Sequence, residues 1–285
     1  MNSSRLNSRS LLGRLLQQVG IETRGASDEV LSGLAMPGLE TRTVRVFLPP
    51  GDITPETPVL VALDGQMLKG WQLVETIGAL IKAHAIVPPL VVAISATRDR
   101  IEEYGTAGVL DYAGRGKKAL AFQDFVIGTV LPAVRARYGL VSTAARTGVF
   151  GASMGGLCAF DLAWRYPGTF GFAGVFSGSL WWRAANANPA VQQSSRIAHQ
   201  LVRATTLKPA VRLWFQAGTK DETSDRDGNG VIDAIQDTTE LIDELVARGF
   251  QSGHDVAYHE VAGGEHHERT WAQALPVFLG WALAR

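Results

Sequence analysis

The chain carries one cysteine, Cys158, so no internal disulfide staples it. Neither sign of charge is in excess, with 27 Lys and Arg against 27 Asp and Glu. Balanced charge gives no electrostatic case for nucleic acid or an acidic membrane surface, and a small or neutral partner is expected. No apolar run reads as long enough to span a membrane. Met1 to Gly20 places Arg5, Arg9 and Arg14 among leucines, without an uninterrupted apolar region or a small-residue cleavage site. No secretory signal is read there, and a cytoplasmic location is expected. No Pro/Ser-rich linker divides the 285 residues, a length that buries a full core. The organisation expected is a polar, partly helical extension over residues 1–35, with Leu11, Leu12, Leu15, Leu16 and Val19 at helical spacing, and one domain over 36–285.

Glycine is plentiful, at 31 residues, and three glycines cluster in Gly151-Ala152-Ser153-Met154-Gly155-Gly156. An apolar strand precedes this stretch and a helical run, Leu157 to Ala163, follows it. A strand that turns directly into a helix strains the turning residue and leaves no room for Cβ atoms beside it. Ser153 is thereby pushed to the tip of the turn, above the unpaired first amides of the helix, where a nucleophilic serine is expected.

The rest of the chain alternates strand and helix. Strands are predicted over 41–48, 59–63, 90–94, 172–176, 211–216 and 255–261. Helices are predicted over 71–83, 117–138 with Pro132 kinking or restarting it, 189–204, 238–248 and 269–283. Residues 98–111 read as an irregular loop over the sheet. This alternation implies an α/β fold with a mostly parallel sheet covered by helices on both faces. Ligands of such sheets bind beyond the carboxyl ends of the strands.

A serine hydroxyl needs a base to take its proton and an acid to orient that base. After the strand ending near Gln216 comes Gly218-Thr219-Lys220-Asp221-Glu222; Asp221 is the candidate acid and Glu222 the reserve. After the last strand, Gly263-Gly264-Glu265-His266-His267 offers His266 as base and His267 as the alternative. His84, His199, His254 and His259 lack such context and read as surface or packing residues. Two amide donors are needed for the oxyanion. Met154 supplies one, and the turn after the 59–63 strand supplies the other, from Gln66 first and Met67 second.

Trp181 and Trp182 follow another strand at the same edge. They read either as an aromatic wall for the substrate or as one core cap and one loop-packing ring. Past the acid, Asp225, Asp227, Asn229, Val231 and Asp233 fall at the alternating positions of a calcium loop, with Gly230 at the sixth. The twelfth position is Gln236 instead of an acid, so a full EF-hand is not expected. Calcium bound there would be structural; a polar turn entering a helix is the other reading. Catalysis by a serine needs no cofactor.

With these residues placed, the chain resembles the esterase D and enterochelin-esterase-like branch of the α/β hydrolases, to which the mycobacterial mycolyltransferases are also similar. The resemblance runs from about Glu40 to the C-terminus. It rests on Val44 to Pro50, Leu63-Asp64-Gly65-Gln66, Arg100 to Tyr104, Phe122 to Pro132, Gly151 to Leu157, Arg165-Tyr166-Pro167, Ser177-Gly178-Ser179, Gly218 to Asp221, Gly264 to His266 and Trp271. It implies an α/β-hydrolase fold, a Ser153, Asp221, His266 triad with Gln66 and Met154 at the oxyanion, and carboxylic ester hydrolysis of a small molecule. Members of this type act on siderophore esters, feruloyl and acetyl esters of sugars, thioesters and lipid acyl groups. The segment before Glu40 is too short for the N-terminal β domain that siderophore esterases often carry, and the Asp225 to Asp233 loop is absent from the shorter members. An acyltransferase using the same triad and a non-catalytic binding protein of hydrolase fold are the alternatives.

Overall fold

A computed structural model describes residues 27–141 and 143–285. Its eight strands are β1 (Ser27–Leu31), β2 (Val44–Leu48), β3 (Val59–Leu63), β4 (Leu90–Ile94), β5 (Thr147–Ala152), β6 (Phe172–Phe176), β7 (Arg212–Lys220) and β8 (Val256–Glu265). They form one sheet in the order β1-β2-β4-β3-β5-β6-β7-β8. The β1–β2 and β2–β4 pairings are antiparallel, and every pairing from β4 through β8 is parallel. Strand β1 lies inside the stretch read as a polar extension; the leucines at positions 11–19 lie outside the described residues.

Strands buried on both faces cannot alternate apolar with polar, and they divide their side chains between two cores instead. Val59, Val61 and Leu63 of β3 enter one core, while Leu60 and Ala62 enter the other. In β4, Leu90, Val92 and Ile94 side with the first core, and Val91 and Ala93 with the second. Against the second core pack helix α1 (Leu73–Lys82) and the C-terminal helix Glu268–Leu283; the remaining long helices cover the first.

Four expectations change on folding. Residues 117–138 do form one long helix, Ala119–Tyr138, which is apolar and long enough to cross a membrane by length and composition, contrary to the sequence reading. Its Phe122, Phe125, Val126, Val130, Leu131 and Val134 are instead buried on the sheet. Pro132 does not restart it: a π-turn over Val126–Val130 precedes the proline, with the Leu131 amide donating to the Val126 carbonyl. Widening the helix there eases the clash between the ring and the preceding turn.

The predicted 189–204 helix is two helices, Pro189–Ser194 and Ile197–Ala204. Between them Arg196 is extended, with φ −63° and ψ 120°, and its buried guanidinium donates to Asp237 at 2.5 Å and to Glu240. Strands β7 and β8 run on through the Gly-rich segments read as loops, to Lys220 and Glu265, with a register shift between Gly218 and Lys220. The two backbones approach so closely there that a Cβ on Gly218 would lie 2.3 Å from the Gly264 carbonyl oxygen.

Candidate active site

Ser153 stands at the carboxyl end of β5, with φ 57° and ψ −125°, and the helix Met154–Arg165 begins at the next residue. L-residues rarely occupy this region, and such strain concentrates at functional turns. Gly151 is required beside it, because a Cβ there would meet the Gly155 carbonyl carbon and oxygen at 2.6 Å. The turn is anchored by the Ser153 amide donating to the Phe176 carbonyl at 2.9 Å and the Ser179 amide donating to the Ser153 carbonyl at 3.0 Å. The Ser153 and Ser179 hydroxyls lie 3.4 Å apart.

The turn after β3 is held from several sides. Asp64 adopts φ 55°, its amide donates to the Tyr104 hydroxyl at 3.2 Å, and its carboxylate receives both arms of Arg100 at 2.7 Å. Arg100 also reaches the Ala152 carbonyl at 3.3 Å, tying this turn to the serine. The Gln66 side chain accepts from the Ala96 amide at 2.9 Å. The Met67 amide is consumed by the Asp64 carbonyl at 2.8 Å, whereas the amides of Gln66 and Met154 have no protein acceptor among the described residues. One free donor thus begins the helix after Ser153, and the other lies in the turn that Arg100 ties to the Ala152 carbonyl.

Asp221, just past β7, has a side chain closed to solvent. One oxygen accepts the Gly218 amide at 2.9 Å; the other accepts the Ser177 hydroxyl at 3.0 Å and faces His266 Nδ1 at 3.6 Å. His266 keeps 42% of its side chain exposed and stands edge-on to Trp271, ring centres 5.4 Å apart. Among the described residues no hydrogen bond joins Ser153 to His266, an arrangement common in ligand-free sites. The two alternatives are placed elsewhere. His267 caps the C-terminal helix, its Nδ1 accepting the Arg269 amide at 3.1 Å. Glu222 sits nearer the Asp233 and Asp237 carboxylates; burial first, then these charges, raises its carboxyl above the ordinary range.

The two tryptophans part company. Trp182 is fully buried, so it belongs to the core and not to a substrate wall. Trp181 lines a cleft of about 510 Å³ together with Tyr112, Arg183, Glu222 and Arg226. Cys158 is a buried thiol whose acidity burial suppresses. In the 225–233 loop, Asp225 and Asp227 both accept from the Asn229 amide, at 3.1 and 3.3 Å, and Asn229 accepts from the Val231 amide at 2.8 Å. Asp233 turns away to Arg226, accepting its amide at 2.9 Å and pairing with its guanidinium at 3.1 Å. Among the described residues no group of three or more His, Cys, Asp or Glu side chains is placed to hold a metal.

Asp64, Arg100, Tyr104 and Ser177 had no role assigned by sequence motif. All four lie in stretches that carry the family resemblance, and Asp64 and Ser177 are also each the first residue after a buried strand, where site residues of parallel sheets gather.

A family model described as "Putative esterase" matches residues 39–282. The iron(III) salmochelin esterase of Escherichia coli O6:H1 is 31% identical over 157 residues, which make up 54% of this chain and 36% of that protein. The enterobactin esterase from Shigella flexneri superposes with a TM-score of 0.68 at 21% identity, over 90% of this chain and 59% of that one. A ferulic acid esterase superposes at 0.66 with 15% identity, over 90% and 97%. The chain thus spans only about a third of the curated relative it matches and less than two thirds of the first of these structures. At such identities the structural likeness speaks for the fold, which is that of the α/β hydrolases.

Proposed function

The chain belongs to the esterase family whose model spans residues 39–282, and from that premise we propose that it is a serine carboxylic ester hydrolase acting through an acyl-enzyme. The observation that carries the reading is the strained Ser153 turn, with the unpaired Met154 amide directly after it and the unpaired Gln66 amide in the turn after β3. Ser153 Oγ attacks the ester carbonyl while His266 takes its proton. The tetrahedral oxyanion rests on the two amides. Collapse expels the alcohol, which leaves with the proton from His266. Water then repeats the sequence on the acyl-enzyme, releasing the acid and restoring Ser153. Asp221 orients His266 and balances its charge while it holds the proton.

The exposed face of His266, 42% of its side chain, leaves the base open to water, the acceptor that this reading requires. A small-molecule ester is the partner. No cofactor takes part in this scheme. The 225–233 loop is assigned a structural role, with calcium on Asp225, Asp227, Asn229 and the Val231 carbonyl, and with Asp233 held by Arg226.

The test is release of p-nitrophenol from acyl esters of graded chain length, wild type beside Ser153→Ala. Turnover should fall by about 10⁴-fold or more in the variant, because the nucleophile and base act as a unit. Equal rates in the two proteins would refute the serine mechanism, and the chain-length optimum sizes the acyl site.

A further inference from the structure

The acid of the proposed triad is itself held by a residue to which no motif gives a role. Ser177 follows β6 directly, with φ 41°, its amide bound to the Gln216 carbonyl at 2.8 Å and its side chain buried. The indole N–H of Trp271 donates to the Ser177 oxygen at 2.9 Å. An indole nitrogen can only donate, so this contact occupies a lone pair of the hydroxyl and leaves its proton for an acceptor. Two acceptors compete: Asp221 at 3.0 Å and the Gln216 side-chain oxygen at 3.4 Å. The shorter contact is also the charged one, and charge-assisted hydrogen bonds are the stronger.

We infer that Ser177 is a positioning residue for ester hydrolysis: oriented by Trp271, it donates to Asp221 and fixes the carboxylate against His266. The inference rests on the reading of Ser153, Asp221 and His266 given above. The same Trp271 ring stands edge-on to His266 and packs 5.4 Å from Trp71 in the second core. One aromatic side chain thus sets the hydroxyl on the acid and walls the base. Among the described residues, the titratable groups facing Asp221 are His266 and, on β8, Tyr258, whose phenol is raised by burial, by Glu260 and by Asp221. Neither supplies a hydrogen bond to the acid, so Ser177 and the Gly218 amide are its donors.

A positive φ makes glycine a natural occupant of position 177, which separates the hydroxyl from the fold. Ser177→Gly removes the hydroxyl while easing the backbone, and Trp271→Phe removes the N–H while keeping a ring against His266. The measurement is the rate at which a fluorophosphonate labels Ser153, followed against pH and probe concentration. For Ser177→Gly, the maximal labelling rate should fall about tenfold, with half-saturation unchanged. The acid limb should move upward, because a carboxylate with one donor fewer attracts the proton on His266 more strongly. Trp271→Phe should move both readouts in the same direction by less. A Ser177→Gly variant that melts like wild type and keeps the wild-type rate and limb overturns the inference alone. Labelling that persists in Ser153→Ala, or is absent from wild type, overturns the triad reading and this inference with it.

Discussion

Individual residues of this protein are held against their own preferences. Asp64, Ser153 and Ser177 all take positive φ without being glycine, and each directly follows a central strand. Such conformations cost on the order of 1–3 kcal/mol each. They persist because their amides, carboxylates and hydroxyls are tied to neighbours, as in the Arg100 pair on Asp64 and the Phe176 carbonyl on Ser153. A second kind of tension sits at His199. Its Nε2 lies 2.9 Å from the Asp237 carbonyl, and its Nδ1 is buried without a partner. Burial, and then the charge of Arg196, push the imidazole well below its ordinary value of 6.5. As pH falls below about 6.5 the unfolded chain gains a proton here that the folded chain refuses, so stability drops with pH in that range. His199→Gln keeps a donor for the Asp237 carbonyl and removes the titration. Its melting temperature should decline less than that of wild type between pH 7.5 and 5.5, by about 2 °C or more, in parallel thermal melts. Identical slopes would remove His199 from the account.

Whole elements were legible wherever a strand was buried on both faces. Val59–Leu63, Leu90–Ile94 and Phe172–Phe176 are continuous apolar runs, and their limits match those read from the sequence. What escaped were features decided by partners distant in the chain. The break at Arg196 follows from a buried ion network with Asp237 and Glu240 on the next helix. The extension of β7 and β8 to Lys220 and Glu265 follows from glycines that let two backbones close together, a pattern that reads locally as loop. The loop before that helix carries its own prediction. Asp225 and Asp227 converge on one amide, and the Gln236 hydrogen bond, the largest influence, holds Asp227 below the ordinary carboxylate range. Calcium added to EDTA-treated protein should raise its melting temperature, and Asp227→Asn should abolish the rise. A melt that ignores calcium would leave the loop to its amides and Arg226.

For the whole molecule, one sheet gathers residues from separate parts of the chain at its carboxyl edge. The place of Ser153 at this edge was legible from its glycines, and the places of Asp221 and His266 from their order after later strands. The sequence put Asp221 before Glu222, His266 before His267 and Gln66 before Met67, and in the structure each second choice has a partner of its own: the Ala234 amide for Glu222, the Arg269 amide for His267 and the Asp64 carbonyl for Met67. The cleft is harder to read, since Tyr112, Trp181, Arg183, Glu222 and Arg226 come from three loops and share no motif. The most direct measurement of the central claim is the mass of peptides from protein quenched during turnover of an acyl ester. The peptide carrying Ser153 should gain one acyl group in wild type and none in Ser153→Ala. Turnover with an acyl group on another residue, or with no acylated peptide when deacylation is demonstrably rate-limiting, would contradict the account.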